Sequence, residues 1–513
     1  MAELSTSRER SLLRYAMIIT LVLGVLRTYV AMVTAYGDAE ALYASYAIFP
    51  QPAYLDHPGL IGLIARVIGQ GSAPDPRDAH LVTTALATLL PWIGFAAARA
   101  AGASVVGGCF TLLVLALVPE LAIGLYALSP DLPLALLWLG ALGLAALATR
   151  ATPKSFRALW TTLAVGAVVG LASLAKASGV LLGMALLVHS LTASQRARWR
   201  TVGPWAAVAV AVVLVAPVVV WEAREGYPML HHRFVSQADP TRALINLGVV
   251  LAGQLAYVTP PFLVGAWLVW RDLWRSRRED PVSAMLAWAT VVPALPLLLL
   301  CMWSAKAEPH WVAPAFLPLA VHVGRSGSLI GRKLARSSLI TGAAVTLLAF
   351  TWVVTPLPVW LLGRYATHDV SQDLYAWGPG RDLLLEAVQR SVLETHRMPV
   401  VVGPHWVVCA QAQALVARKI PVGCNSPRQD DFDRWLPRRQ WLNAPVVLYV
   451  QDDRFPVAAA NELPDRYVSA ISRTNVQRGG RVVRSIRITR LEKSRETAGI
   501  NRAPEPARAA PPP

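Results

Sequence analysis

The strongest constraint on this chain is a series of apolar runs, each close to the length of a bilayer-spanning helix, that recurs from Leu12 to Leu362. A spanning helix needs about twenty apolar residues, and lipid offers no partner to an unpaired backbone group, so such runs are satisfied as helices in a membrane. They fall at 12–34, 80–99, 104–126, 131–149, 158–175, 178–194, 203–221, 246–270, 282–303, 311–324 and 338–362, which predicts about eleven crossings. Composition agrees: 55% hydrophobic and 15% charged residues are more apolar surface than a soluble core can bury. A formal net charge of +17 would point a soluble protein toward nucleic acid. Here the basic residues sit in short clusters between the runs, as in membrane loops, so no nucleic-acid partner is expected. The first run is longer than a signal-peptide core and lacks a small-residue cleavage site, so it is expected to stay as the first span.

The clusters set the orientation. Arg8, Arg10 and Arg14 precede the first run, and Arg150, Lys154 and Arg157, then Arg196, Arg198 and Arg200, then Arg271, Arg275, Arg277 and Arg278, then Arg325, Arg332, Lys333 and Arg336 occupy alternate loops. By the positive-inside rule these loops and the N-terminus are cytoplasmic, and an odd number of crossings puts the C-terminal region outside. The expected organisation is a transmembrane module over 1–362, an extracytoplasmic α/β domain over 363–492 and a disordered Pro/Ala-rich tail over 493–513. Within the module, the outer loop 36–80 contains LIGLIARVI, too short to span and read as an interfacial helix. In the C-terminal region, GRDLLLEAVQRSVLETH and VVCAQAQALVARK read as helices, and MPVVVG and APVVLYVQDD as strands, which suggests a short parallel sheet. Cys109 and Cys301 lie in apolar runs as small buried side chains, whereas Cys409 and Cys424 lie outside the membrane, where a disulfide between them is open.

Acids, bases and aromatics gather on the outer face. Asp38 and Glu40 stand where the first helix leaves the bilayer, and Asp56-His57-Pro58 follows. A carboxylate at the edge of low-dielectric lipid is hard to solvate, which suits it to act as a base near neutral pH; the plainer reading is a helix cap and a solvated acid. Ser129-Pro130-Asp131 opens a helix, where Ser and Asp are also ordinary capping residues. Lys176 lies in the break LAKASGVLL, placed either to hold a lipid phosphate or to snorkel. WSAKAEPHW supplies Lys306, Glu308 and His310 between two tryptophans, and VWEAREGYPMLHHRF supplies Glu222, Arg224, His231, His232 and Arg233. The adjacent histidines project in different directions on regular structure, which argues against a metal there.

These segments, in this order, resemble the bacterial GT-C glycosyltransferases, specifically the family 39 and lipid A aminoarabinose transferase-like group related to the protein O-mannosyltransferases. YLDHPG and KAEPHW are the specific phrases, supported by SPDLPL, LAKASGVLL and VVVWEAREGYPML. Two departures stand out: Ala39 separates Asp38 from Glu40 where the family has adjacent acids, and DHPG replaces the usual DHPP. The resemblance implies an inverting transfer, on the periplasmic face of a bacterial inner membrane, from a polyprenyl-phosphate-linked sugar to a lipid, glycan or protein acceptor. Asp38, or else Glu40, is then the base. Lys176, Arg224 and Lys306 are expected to stabilise the carrier phosphate, with Asp56, His57, Asp131, Glu308 and His310 around the donor. No cofactor is required; some relatives hold a divalent ion at this face, but no ligand set for one is assignable here. The competing readings are a flippase for lipid-linked glycans, which would place charges mid-helix and show repeats, and a non-catalytic relative.

Overall fold

The computed structural model describes residues 2–326, 330–416, 419–457 and 463–493, and the chain forms two compact units. The first comprises Met1–Thr34 and Tyr46–Leu357, and the second Ala35–Ser45 with the chain from Pro358 onward. In chain order the helices are α1 (Ala2–Val33), α2 (Asp38–Tyr46), α3 (Leu60–Ile68), α4 (Pro76–Ala100), α5 (Val105–Leu117), α6 (Pro119–Gly124), α7 (Asp131–Arg150), α8 (Phe156–Ala175), α9 (Gly179–Ser190) and α10 (Val202–Glu225). They continue with α11 (Pro228–His231), α12 (Ala243–Tyr257), α13 (Pro260–Ser276), α14 (Pro281–Trp303), α15 (Leu317–Ser326), α16 (Arg332–Val354), α17 (Leu357–Leu362), α18 (Asp373–Thr395), α19 (Trp406–Val416), α20 (Asp431–Trp435) and α21 (Arg438–Leu442).

Among the described residues seven helices are long and apolar enough to span a bilayer, or up to eight if one bent pair counts as a single span. About eleven were expected, and proline accounts for most of the difference. Pro119 divides the run 104–126 into α5 and α6, and Thr259-Pro260-Pro261 divides 246–270, where the two halves bend by 102°. Proline lacks the N–H that an interior turn needs and clashes with the preceding turn. Pro309 and Pro314 likewise hold 309–316 as a 3-10 segment ahead of α15. The remaining difference lies in α9, which is apolar but shorter than a span.

Local signals set the helix starts. Asp75, Ser104, Ser155 and Asp280 cap α4, α5, α8 and α14 by accepting from backbone N–H groups of the first turn. Small residues then let helices meet: a Cβ on Gly166 of α8 would strike the Ala207 backbone of α10, and one on Gly107 of α5 would strike Gly324 of α15. The core centres on Trp138, Leu139 and Leu142 of α7 with Met285 and Leu286 of α14. By contrast α10 buries little of itself and exposes Val212, Val213 and Val219, a surface tolerable only against lipid. Arg27, inside the span of α1, is almost wholly buried, and its guanidinium donates to the carbonyls of Ala122 (2.8 Å) and Leu121 (3.3 Å) at the end of α6.

The second unit holds a five-stranded sheet of order β2-β1-β3-β5-β4, with β1 Val400–Gly403, β2 Val422–Cys424, β3 Val446–Asp452, β4 Arg466–Arg478 and β5 Arg481–Lys493. The three short strands are parallel, as expected, but β5 runs antiparallel to β3 and to β4, so the sheet is mixed. The long β4–β5 hairpin was not foreseen. Its signal is Gly479-Gly480, whose φ values of 56° and 79° make the tight turn that matches strand twist. Cys409 and Cys424 are buried free thiols in contact, not a disulfide. The tail predicted to be disordered lies outside the described residues apart from Lys493, which ends β5.

Candidate functional site

In the first unit the YLDHPG segment forms a closed loop. The Tyr54 N–H donates to the His57 carbonyl (2.9 Å) and the Gly59 N–H to the Pro52 carbonyl (2.8 Å). Proline at 59 could not make the second bond, and any Cβ there would strike the Gln51 and Pro52 carbonyls, so the glycine that departs from the family phrase is what lets the loop close. Tyr54 stacks on Tyr46 with ring centroids 3.6 Å apart and donates to the Tyr46 and Phe49 carbonyls, which anchors the loop from beneath.

Asp56 faces His232 Nε2 at 3.4 Å and Arg233 at 3.3 Å. Burial opposes its charge, but the His232 hydrogen bond and the charges of His57, Arg233 and His232 hold its carboxyl well below the ordinary range. Arg233 in turn lies over the Trp311 ring, 5.2 Å from its centroid. His57 is buried, and burial drives its imidazole down to about 3, with Lys176 and Arg233 adding to the effect against Asp56 and Asp131.

Asp131, at the start of α7, binds the Lys176 ammonium at 2.7 Å and lies 3.8 Å from His310 Nε2. Lys176 is the residue that ends α8, in extended backbone, and its side chain is largely buried. Burial lowers the His310 pKa. The result is a partly buried cluster of cations and imidazoles (Lys176, Arg233, His57, His232 and His310) tied by two aspartates, Asp56 and Asp131.

The other expected contributors stand apart. Lys306 is 84% exposed and pairs with Glu308 at 2.9 Å, a surface ion pair. Arg224 is exposed on the last turn of α10. Glu222 is buried and accepts from the Met229 and Leu230 N–H groups, which shapes the turn after α10. Arg233 and His232 are the contributors that sequence reasoning set aside, although HHRF carried them. Among the described residues no three His, Cys, Asp or Glu side chains gather as a metal-holding group.

The two acids of α2 belong to the second unit, where they are used differently. Glu40 is buried and accepts from the Gly37 N–H (2.8 Å), capping its own helix. Asp38 accepts from both terminal nitrogens of Arg454 at 2.6 and 3.3 Å. Arg454 also binds Asp452 at 2.6 Å and Asp373 at 3.1 Å, and Arg484 binds Asp373 at 2.6 Å and Asp453 at 3.3 Å. Burial and the neighbouring Asp38 charge push Asp373 up to about 6. Arg454 and Asp373 were not anticipated, because nothing local in sequence joins residues 38, 373 and 454.

A polytopic helical bundle joined to a small mixed-sheet domain is the architecture of the GT-C membrane glycosyltransferases, and the resemblance drawn from YLDHPG and KAEPHW is borne out. Residues 57–221 match the family model of dolichyl-phosphate-mannose-protein mannosyltransferases, a segment that includes His57, Asp131 and Lys176. The fold matches ArnT from Cupriavidus metallidurans bound to undecaprenyl phosphate, at 17% identity, over 93% of this chain and 98% of that one, with a TM-score of 0.60. It also matches the oligosaccharyltransferase of Archaeoglobus fulgidus, at 12% identity over 84% and 67% of the two chains, with a TM-score of 0.51. No curated protein sequence matches the chain.

Proposed function

We propose that this protein is a glycosyltransferase that moves a sugar from a polyprenyl-phosphate carrier to an envelope acceptor at the periplasmic face of a bacterial inner membrane. The observation that carries the reading is the Lys176–Asp131–His310 cluster with His57 and Arg233 beside it. A partly buried ammonium and guanidinium, oriented by aspartates, suit a phosphate that gains charge as it leaves. The family match over this segment and the undecaprenyl phosphate held by ArnT support that ligand. An apolar cavity of about 840 Å³ along α8, α9 and α10, reaching Ser173 close to Lys176, suits the isoprenoid chain.

In the proposed step Asp38 takes the proton of an acceptor hydroxyl, whose oxygen attacks the anomeric carbon. The bond from that carbon to the carrier phosphate breaks, and its electrons leave with the phosphate. One displacement inverts the anomeric configuration. Asp38 pairs with Arg454 but keeps a partly exposed carboxylate, whereas Glu40 is buried on the Gly37 N–H, and on that ground Asp38 is favoured. The test is transfer of radiolabel from a panel of undecaprenyl-phosphate sugars into membrane fractions. Asp38→Asn should lower turnover by about 10²–10⁴-fold, with Glu40→Gln affecting folded yield more than turnover. Transfer that survives Asp38→Asn removes Asp38 as base, and no transfer from any donor by folded wild type removes the enzyme reading.

A further inference from the structure

Across the sheet of the second unit, Gln451 of β3 stands opposite Arg487 of β5, and Arg487 stands opposite Arg473 of β4. Directly opposed residues of an antiparallel pair hold their Cβ atoms about 4.5–5.5 Å apart, and like charges so placed repel. The nearby Arg454, Arg484 and Arg490 are all ion-paired, whereas Arg473 and Arg487 form no ion pair among the described residues. Arg487 also keeps a buried Nε without a hydrogen-bond partner among those residues. Gln451, only 8% exposed, has its Oε1 in the same condition.

All three line a polar cavity of about 280 Å³, together with Asn475 and Ser485, whose side chains bond each other at 2.8 Å. The two carboxylates on its wall are already engaged, Asp452 by Arg454 and Asp453 by Arg484. What the cavity offers is therefore two uncompensated guanidiniums, an acceptor oxygen and a hydroxyl–amide pair. A buried acceptor calls for a donor, and paired guanidiniums call for an anion; one small molecule supplying both is a sugar bearing a phosphate or carboxylate.

We propose that this cavity binds an anionic sugar, its charged group lying between Arg473 and Arg487 and a hydroxyl donating to Gln451 Oε1. Naming that sugar as the charged part of the acceptor glycan rests on the transferase reading; the binding site itself does not.

The test titrates the full chain in nanodiscs, with no donor present, using glucose 6-phosphate, glucuronate, inorganic phosphate and glucose. At least one charged sugar should bind ten-fold or more tightly than glucose and than phosphate, and comparing glucose 6-phosphate with glucuronate identifies the preferred anion. Binding should weaken ten-fold or more in Arg473→Gln/Arg487→Gln and in Gln451→Leu. Glucose or phosphate binding as well as the charged sugars, charged-sugar binding unchanged in the variants, or no binding at all overturns the proposal. Because the double variant removes a like-charge opposition, it should melt no lower than wild type; if it does melt lower, the exposed Arg473→Gln alone carries the comparison. Binding that stands while no transfer is ever detected removes the transferase reading and leaves the pocket.

Discussion

Two of the buried basic residues, His57 and Arg27, illustrate opposite ways of surviving burial. His57 stays neutral: its folded pKa of about 3 lies far below the ordinary imidazole value. Between about 6.5 and 3 the unfolded chain takes up a proton that the folded one refuses, so this residue's contribution to stability is lost as pH falls through that window. Asp373, raised to about 6, has the opposite sign, its contribution being lost as pH rises from the ordinary carboxyl value. The comparison must therefore be differential. Thermal melts of wild type and His57→Gln from pH 7 to pH 4 should diverge, with wild type losing more stability on acidification; parallel curves would mean that His57 is not held neutral. Arg27 instead keeps its donors and spends them on the carbonyls ending α6. Arg27→Met should lower stability by about 1–3 kcal/mol, because those buried acceptors lose their partner, with the loss read as a fall in melting temperature in detergent.

At the scale of elements, the β4–β5 hairpin supplies the face that carries Arg473 and Arg487, and its geometry depends on two left-handed residues at the turn. Replacing both Gly479 and Gly480 with alanine should cost about 2–4 kcal/mol, since each position carries roughly 1–2 kcal/mol of Cβ strain. Limited proteolysis of the hairpin should then speed up relative to wild type. The RGGR signal stands in the sequence, but the flanking segments are rich in arginine and other polar residues, which blurs the apolar alternation that marks a strand. In the membrane unit the breaks at Pro119 and at Thr259-Pro260-Pro261 are equally visible in the sequence, yet hydropathy alone averages across them, which is why 104–126 and 246–270 read as single crossings.

For the whole molecule, the exposed apolar face of α10 ties folding to a bilayer. Val212→Arg on that face should cost about 2.5–3.5 kcal/mol of insertion free energy near the bilayer centre, seen as a lower membrane-inserted yield while the same change at an exposed loop position leaves yield intact. Much was legible from residues alone. Run length with proline-free interiors marks α1 and α8, capping residues mark where α4, α5, α8 and α14 begin, and YLDHPG, SPD and LAKASG mark the segments that meet around Asp131. These signals are local, set by periodicity, backbone sterics and the cost of an unpaired peptide in lipid. What tertiary structure alone decided is which charges face one another. Lys176 and His310 share Asp131 across more than a hundred residues, Arg233 replaces Arg224 beside Asp56, and Arg454 reaches Asp38 from the far end of the chain. Electrostatic partnership depends on separations of a few ångströms, and in a chain folded from many packed elements those distances follow from packing and not from position in the sequence.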